Sequence, residues 1–159
     1  MRRQQLLDQL RNHNPIDAEE ERMLGQCVRF AEAYENCFDP GLGIGHFTAA
    51  SWITCPNSQS VILLHHRKLN KWLQPGGHIE ANETARQASL REAVEETGLN
   101  GLSLITENIF DIDIHMIPEI NGHPPHFHFD IRYHYTLPEL LTPRNNKESK
   151  EVKWVDLKL

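Results

Sequence analysis

The feature that most constrains the fold is a carboxylate-rich segment that ends at a glycine. Glu92, Glu95 and Glu96 stand three and four positions apart, so on an α-helix they share one face. Gly98 follows directly and is typical of a helix end, because glycine adopts the left-handed conformation without steric cost. We predict a helix that begins with Asn82 as its N-cap and ends before Gly98, with three carboxylates side by side.

Three carboxylates on one helix face repel one another, and like charges at this spacing destabilise a helix. A hard divalent cation offsets the repulsion, since Mg²⁺ binds carboxylate oxygens and keeps waters that substrate phosphates can replace. Arg91 is the one basic residue in the last two turns, and it can meet Glu83 if the loop before the helix folds back. A solvated helix face is the alternative, and it is the usual meaning of a run of charges.

The complete register favours the metal site over the solvated face. Gly77 is followed by five residues and Glu83, then by seven residues and the run Arg, Glu, Ala, Val, Glu, Glu, Thr, Gly, Leu that ends at Leu99. This pattern resembles the Nudix box, the signature of the Nudix hydrolase family, at every fixed position. The resemblance extends less directly over residues 46–157, and the first 45 residues have no counterpart in it.

The resemblance implies a role for each residue of the box. The implied ligands of a catalytic Mg²⁺ or Mn²⁺ are three carboxylates and one backbone carbonyl, those of Glu92, Glu95, Glu96 and Gly77. Arg91 orients the glutamates, and Glu83 pairs with Arg91 without touching the metal. In such a site the ion polarises phosphoryl oxygens and lowers the pKa of a bound water, which attacks phosphorus.

Glu148 is the candidate for a further acidic group in the same site. The family often adds an acidic residue from a loop beyond the box, six positions before a Trp on the last strand, and that Trp is Trp154 here. Glu148 is then either a further metal ligand or the general base. Glu151 lies closer to Trp154 and is predicted to be a surface charge.

Histidines are frequent in this chain, with ten in 159 residues. His126, His128 and Asp130 alternate along one predicted strand and therefore share a face. Two imidazoles and a carboxylate on one face are compatible with a transition-metal site. The alternative, which we favour, is a polar pocket wall that hydrogen-bonds phosphates or a base edge, or a solvated face. His78, next to the first glycine of the box, is a candidate phosphate contact.

Strand-like segments dominate the second part of the chain. Runs rich in β-branched and aromatic residues are predicted as strands at residues 47–54, 60–66, 72–74, 102–115, 126–137 and 152–155. With one helix between them, they indicate an α+β protein with a mixed β-sheet. The resemblance implies an α/β/α sandwich-like Nudix fold in which a loop–helix–loop carries the site.

Two amphipathic helices are predicted before the strands. Leu6, Leu7 and Leu10 form the apolar side of the first helix, and Asp17 is the predicted N-cap of the second, with Glu20 in capping-box relation. The second helix carries an apolar stripe that needs a partner, which is either one side of the domain or a second subunit. We divide the chain into an N-terminal helical extension, residues 1–43, and a Nudix hydrolase domain, residues 44–159.

Charge and cysteine content narrow the class of protein. Lys plus Arg number 16 and Asp plus Glu number 22, which gives a formal net charge of -6. This argues against nonspecific nucleic-acid binding and against acidic membranes. The longest aliphatic run has four residues, and no secretory signal is apparent at the start. Three cysteines without a CxxC pair indicate reduced thiols, so we expect a cytoplasmic protein.

The sequence therefore predicts a metal-dependent hydrolase that cleaves a phosphoanhydride bond, in a small nucleoside diphosphate derivative, by attack of water on phosphorus. A homodimer is left open. The alternative is a Nudix-fold module that binds a nucleotide for regulation without turning it over. The intact set of box glutamates argues against that alternative, because a module without activity has no need to keep every ligand.

Overall fold

Three helices and eight strands make up residues 1–158, the part of the chain that the structure, a computed structural model, describes. The helices are α1 (Arg2–Asn12), α2 (Ala18–Ala33) and α3 (Ala85–Thr97). The strands are β1 (Gly45–Cys55), β2 (Ser60–His66), β3 (Lys71–Leu73), β4 (Gly76–His78), β5 (Ser103–Leu104), β6 (Asp111–Ile117), β7 (His126–Thr136) and β8 (Ser149–Asp156).

The strands form one mixed sheet with β1 near its centre. Strand β1 runs parallel to β7 along almost its whole length, from Gly45 beside Phe127 to Thr54 beside Thr136. Its pairings with β2 and β4 are antiparallel, as are those of β7 with β5 and β6 and of β2 with β3 and β8. The predicted α+β class with a mixed β-sheet is confirmed.

The helix of the carboxylate segment begins later than predicted. It starts at Ala85, because Thr84 is the N-cap: its Oγ1 accepts a hydrogen bond from the Gln87 N–H (3.2 Å), and Gln87 Oε1 accepts one from the Thr84 N–H (2.8 Å). Asn82 has φ of 68°, which is incompatible with the extended conformation that an N-cap adopts. The predicted helix end is confirmed, with φ of 67° at Gly98.

Two strand predictions were wrong in detail. The predicted strand at residues 102–115 is divided into β5 and β6, which both pair with β7. After β5, the Ile105 N–H still donates a hydrogen bond to the His134 carbonyl of β7, and the next such bond is from the Phe110 N–H to the Arg132 carbonyl. The residues between them do not pair with β7, so the strand is interrupted there. The glycines after Pro75, expected to end a strand, form β4 alongside β1. This short strand brings the first residues of the box into the sheet.

The apolar stripe of α2 packs on the sheet of its own chain. The ring of Phe30 stacks on that of Phe129 with centroids 4.1 Å apart, and Leu6, Leu10 and Cys27 belong to the same hydrophobic core. The apolar stripe was expected to pack either on one side of the domain or on a second subunit. In the structure it packs on the sheet of the domain. The boundary between extension and domain near residue 43 stays a prediction.

The N-terminus of α2 is capped by Asp17, whose side chain accepts a hydrogen bond from the Glu20 N–H (2.8 Å). The Glu20 carboxylate does not complete a capping box. It accepts hydrogen bonds from the N–H groups of Ile16 and Ile112 and lies 3.0 Å from His13 Nε2. A buried carboxylate thus ties the helix to the start of β6.

Across residues 1–158, none of the helices has the length and apolar character that a membrane crossing requires. The three cysteines, Cys27, Cys37 and Cys55, are free and buried.

Candidate active site

Arg91 joins the face of α3 to the loop that precedes it. Its Nε and Nη2 donate hydrogen bonds to the two carboxylate oxygens of Glu83 at 3.1 and 2.7 Å. Its Nη1 donates to Glu92 Oε1 (2.9 Å) and Glu95 Oε2 (3.3 Å). Nη2 also donates to the carbonyl of His78 (2.9 Å). The loop does fold back, so one guanidinium orients three carboxylates and the end of β4.

The charges in this network reinforce one another. Burial alone would raise the pKa of Glu83, but the Arg91 guanidinium and the Glu80 N–H outweigh burial, so the pKa lies below its ordinary value. In turn, the hydrogen bonds to Glu83, followed by those to Glu92, raise the pKa of Arg91. The Arg91–Glu83 pair therefore stays ionised across the physiological pH range.

Gly77 lies directly against the carboxylates of α3. A Cβ at this position would come within 2.5 Å of Glu92 Oε1, so a larger residue would displace the Glu92 carboxylate from its present place. The neighbouring Gly76 N–H donates a long hydrogen bond of 3.4 Å to Glu96 Oε1. Backbone groups of β4 and carboxylates of the helix thus form one polar cluster.

Glu96 is the buried member of this cluster, with 5% of its surface exposed. Burial, followed by the neighbouring Glu92, raises the pKa of Glu96 to about 9. A buried carboxylate beside a second one holds a proton, because burial and the neighbouring negative charge both disfavour its ionised form. Such a set of hard oxygen donors fits a divalent cation of the Mg²⁺ type.

The carboxylates open into a cavity of about 450 Å³ between α3, the sheet and the loop before β8. Its lining includes six carboxylates and two guanidinium groups: Glu80, Glu92, Glu95, Glu96, Asp130, Glu148, Arg91 and Arg132. Both guanidinium groups are already paired. Arg132 contacts Asp111, Asp113 and Asp130 at 2.8, 3.4 and 3.0 Å. A polyphosphate could therefore enter only if added cations balance the negative charge.

Glu148 reaches this cavity through a short loop tied to α3. The side chain of Asn146 donates a hydrogen bond to the Glu95 carbonyl (3.3 Å) and accepts one from the Glu148 N–H (3.0 Å). Glu148 is exposed and forms no ion pair with any residue in 1–158. Glu151 lies outside the cavity and is 3.7 Å from Lys153.

Histidines also line the cavity. His78 and His128 are among its lining residues, whereas His126 is not, and the Nε2 atoms of His126 and His128 lie 3.2 Å apart. Asp130, considered above as a third ligand with these histidines, is engaged elsewhere. It accepts hydrogen bonds from Thr48 Oγ1 (2.8 Å) and Arg132 Nε (3.0 Å). The group of possible ligand atoms that the structure brings together contains His128 but not Asp130.

Sequence reasoning missed two residues of this region. His46 lies beside His128 in the parallel pairing of β1 and β7, and no local sequence signal reports such a pairing. Burial, followed by His78 and His126, lowers the pKa of His46 to about 4. The sequence could have predicted Arg132, because residues 128, 130 and 132 alternate along the strand and therefore share one face.

The fold and the site define a class of protein that comparison with known families identifies. The profile of the NUDIX domain matches residues 45–159, well over half of the chain. The chain therefore belongs to the NUDIX family, and the resemblance noted in the box is confirmed.

Individual relatives are more distant. A putative 8-oxo-dGTP diphosphatase of Bacillus subtilis is 34% identical over 55 residues, which are 34% of this chain and 37% of that protein. The MutT protein of Methanosarcina mazei Go1 has a TM-score of 0.58 at 19% identity, covering 74% of this chain and 80% of that one. The E. coli dihydroneopterin triphosphate pyrophosphohydrolase has a TM-score of 0.55 at 22% identity, covering 69% and 80%. The two structures share the fold. The chain spans less than half the length of the curated relatives it matches.

Proposed function

We propose that this protein is a metal-dependent Nudix pyrophosphohydrolase that cleaves the diphosphate linkage of a nucleoside diphosphate derivative. One observation carries the proposal: Arg91 holds Glu92 and Glu95 beside Gly77, with Glu96 next to them, in a single cavity. Family membership supports the reaction type, and the name of the Bacillus subtilis relative supports a nucleotide as substrate.

The residues present fit a resident Mg²⁺ or Mn²⁺. Its ligands would be the carboxylates of Glu92, Glu95 and Glu96 and the carbonyl of Gly77, and the elevated pKa of Glu96 marks the charge that such an ion would neutralise. When bound, the ion would polarise the phosphoryl oxygens and activate water for attack on phosphorus. Mg²⁺ and Mn²⁺ take the same oxygen donors, so the proposal covers both.

The other groups of the site position these ligands and handle the proton. Arg91 fixes the rotamers of Glu92 and Glu95, and Glu83 holds Arg91 through both of its oxygens, so the ligand face is ordered before substrate arrives. Glu148, exposed at the cavity and free of ion pairs in residues 1–158, accepts the proton of the attacking water or serves as a further ligand.

The charge of the cavity supports a substrate whose diphosphate is bridged to a second group. Both guanidinium groups that line it are already paired with carboxylates, so little positive charge remains for the extra phosphates of a free triphosphate. His78 and His128, which also line the cavity, can donate hydrogen bonds to the second group. Hydrolysis of such a substrate at the anhydride releases two phosphate monoesters and no pyrophosphate.

The test is turnover of a panel of nucleoside triphosphates, dinucleoside polyphosphates and nucleotide sugars with Mg²⁺ or Mn²⁺. Wild-type protein should hydrolyse members of the panel, and Glu95→Gln should lower kcat/KM by about a hundredfold or more. Mutation of a residue that merely supports a metal ligand lowers activity by about 10–100-fold, and loss of the ligand itself should cost at least as much. Glu151→Gln, a carboxylate change outside the cavity, is the matched control and should keep full turnover.

Absence of hydrolysis with every metal would favour the regulatory module instead. Triphosphates cleaved with far higher kcat/KM, releasing pyrophosphate, would overturn the substrate preference while leaving the reaction type intact.

A cytoplasmic location remains part of the proposal, supported by three free thiols. A homodimer also remains a prediction, although the apolar stripe of α2 is already covered within the chain.

A further inference from the structure

His46 is a buried imidazole without a hydrogen-bond partner. It exposes 1% of its surface, and neither Nδ1 nor Nε2 meets a donor or acceptor among residues 1–158. Burying an unpaired polar group costs free energy, so nearly all such groups in folded proteins have a partner. The ring nitrogens of His46 therefore require an explanation that the protein's own hydrogen bonds do not provide.

Other imidazoles surround His46 instead. Its ring centroid lies 4.8 Å from that of His128, 5.0 Å from that of His78 and 5.3 Å from that of His126. The sheet fixes these positions: β1 and β7 pair in parallel with His46 beside His128, and β4 pairs with β1 so that His78 stands beside Thr48, two residues after His46. His46, His78 and His128 belong to three different strands, β1, β4 and β7, so backbone pairing rather than loop conformation sets the spacing of their imidazoles.

Ring nitrogens of three of these histidines lie close to one another. One ring nitrogen from each of His46, His78 and His128 lies within 4.8 Å of the other two. Rotation of the rings about their side-chain bonds would bring these nitrogens to the separation of about 3.3 Å between two ligands of a tetrahedral Zn²⁺ with Zn–N bonds of 2.0–2.1 Å. Asp130 contributes no ligand atom to this group, because it is bound to Thr48 and Arg132.

We propose that His46, His78 and His128 form a binding site for a borderline transition-metal cation such as Zn²⁺. Imidazole nitrogens favour Zn²⁺, Cu²⁺, Ni²⁺ and Fe²⁺, whereas Mg²⁺ favours oxygen ligands. The site is thus separate in chemistry from the glutamate face of α3. A bound ion would give one of the two unpaired ring nitrogens of His46 a partner, and it would link β1, β4 and β7.

The test uses Co²⁺ as a spectroscopic probe in a variant that lacks the glutamate ligands. The purified chain carrying Glu92→Gln, Glu95→Gln and Glu96→Gln is stripped with EDTA, checked for fold by circular dichroism and titrated with Co²⁺. We expect one equivalent to bind with the intense visible absorption of tetrahedral nitrogen coordination, and we expect Zn²⁺ to displace it. In wild-type protein, a large excess of Mg²⁺ should leave this absorption unchanged, which keeps the test valid if the triple variant does not fold.

Single substitutions identify the ligands. His78 is exposed, so His78→Gln should fold. The substitution should weaken Co²⁺ and Zn²⁺ binding by about tenfold or more. Mutation of a residue that hydrogen-bonds a metal ligand already lowers affinity by about 10–100-fold, and loss of a ligand should cost at least as much. His123→Gln removes an exposed histidine outside the cluster and is the matched control, with unchanged affinity. Displacement of Co²⁺ by Mg²⁺, absence of the tetrahedral absorption, or equal affinity in His78→Gln would overturn the proposal. None of these readouts depends on hydrolysis.

Discussion

At the scale of single residues, the site is built from one ion pair that holds an unfavourable group of charges in place. Glu83 grips Arg91 through both oxygens, and Arg91 in turn reaches Glu92 and Glu95. Glu96 receives no such compensation and is the most buried carboxylate of the face. The network therefore orders the helix face and leaves one carboxylate whose charge is unfavourable until a cation arrives.

Glu96 gives a prediction for stability against pH. Its folded pKa, near 9, lies above the ordinary value of 4.5, so between these values the folded state keeps a proton that the unfolded state has released. The free energy of unfolding of metal-free protein should then fall as pH rises. The clearest window is pH 7.5–9, because histidines are largely neutral there in the unfolded chain too.

The measurement is the melting temperature in EDTA across this window, for wild type and Glu96→Gln. Wild type should lose stability more steeply than the variant, which has no proton to release at this position. Parallel curves for the two proteins would show that Glu96 does not titrate as described. Saturating Mg²⁺ should flatten the wild-type curve, since a bound cation favours the ionised carboxylate.

At the scale of secondary-structure elements, the N-terminal helices are part of the core. Strands β1 and β7 present Phe47 and Phe129 on the face opposite the cavity, and Phe30 of α2 covers both, with ring centroids 5.5 and 4.1 Å away. The first helix also touches the box loop, because Arg2 Nη1 donates a hydrogen bond to the Glu80 carbonyl (2.7 Å). Phe30 of α2 and the cavity therefore lie on opposite faces of β1 and β7.

We predict that Phe30→Ala lowers the free energy of unfolding by about 3–5 kcal/mol, because it removes a buried ring and leaves a cavity against the sheet. Urea unfolding followed by circular dichroism measures the change. Ile16→Ala is the matched control: its side chain is 86% exposed, and the expected change is within about 0.5 kcal/mol. Equal stability of Phe30→Ala and wild type would contradict the packing of α2. If Phe30→Ala does not fold, Phe30→Leu should show a smaller loss.

At the scale of the whole molecule, the negative charge predicts that cations contribute to stability as well as to the proposed substrate binding. The chain carries a formal charge of -6, and the cavity concentrates carboxylates that the two guanidinium groups do not balance. A cation that binds only the folded state stabilises it by mass action. Stability and the proposed activity should therefore respond to the same ion.

We predict that Mg²⁺ at about 100 times its Kd raises the melting temperature by about 5–10 °C relative to EDTA, which corresponds to about 2.7 kcal/mol for a chain of this length. Thermal scans in both conditions measure the shift. The variant with Glu92, Glu95 and Glu96 changed to Gln should show no response. Superimposed wild-type scans would argue against a preformed cation site on α3.

Several features followed from the sequence because they depend on residues close together in the chain. The helical spacing of Glu92, Glu95 and Glu96 places them on one face whatever surrounds the helix, and Gly98 ends that helix because of its own backbone freedom. The alternation along β7 likewise orients His128 and Asp130 toward one face. The Nudix box and the mixed α+β class could be predicted for the same reason.

Other features were decided only by the tertiary structure, because they join residues far apart in the chain. The parallel pairing of β1 with β7 brings His46 beside His128 across more than eighty residues. The sheet also decides that Asp130 serves Thr48 and Arg132 rather than a metal. Local sequence determines which face a side chain occupies, since the periods of helix and strand are fixed. The order of the strands in the sheet determines which side chains become neighbours. That order depends on how all the apolar side chains of the chain are buried together, so no short segment determines it.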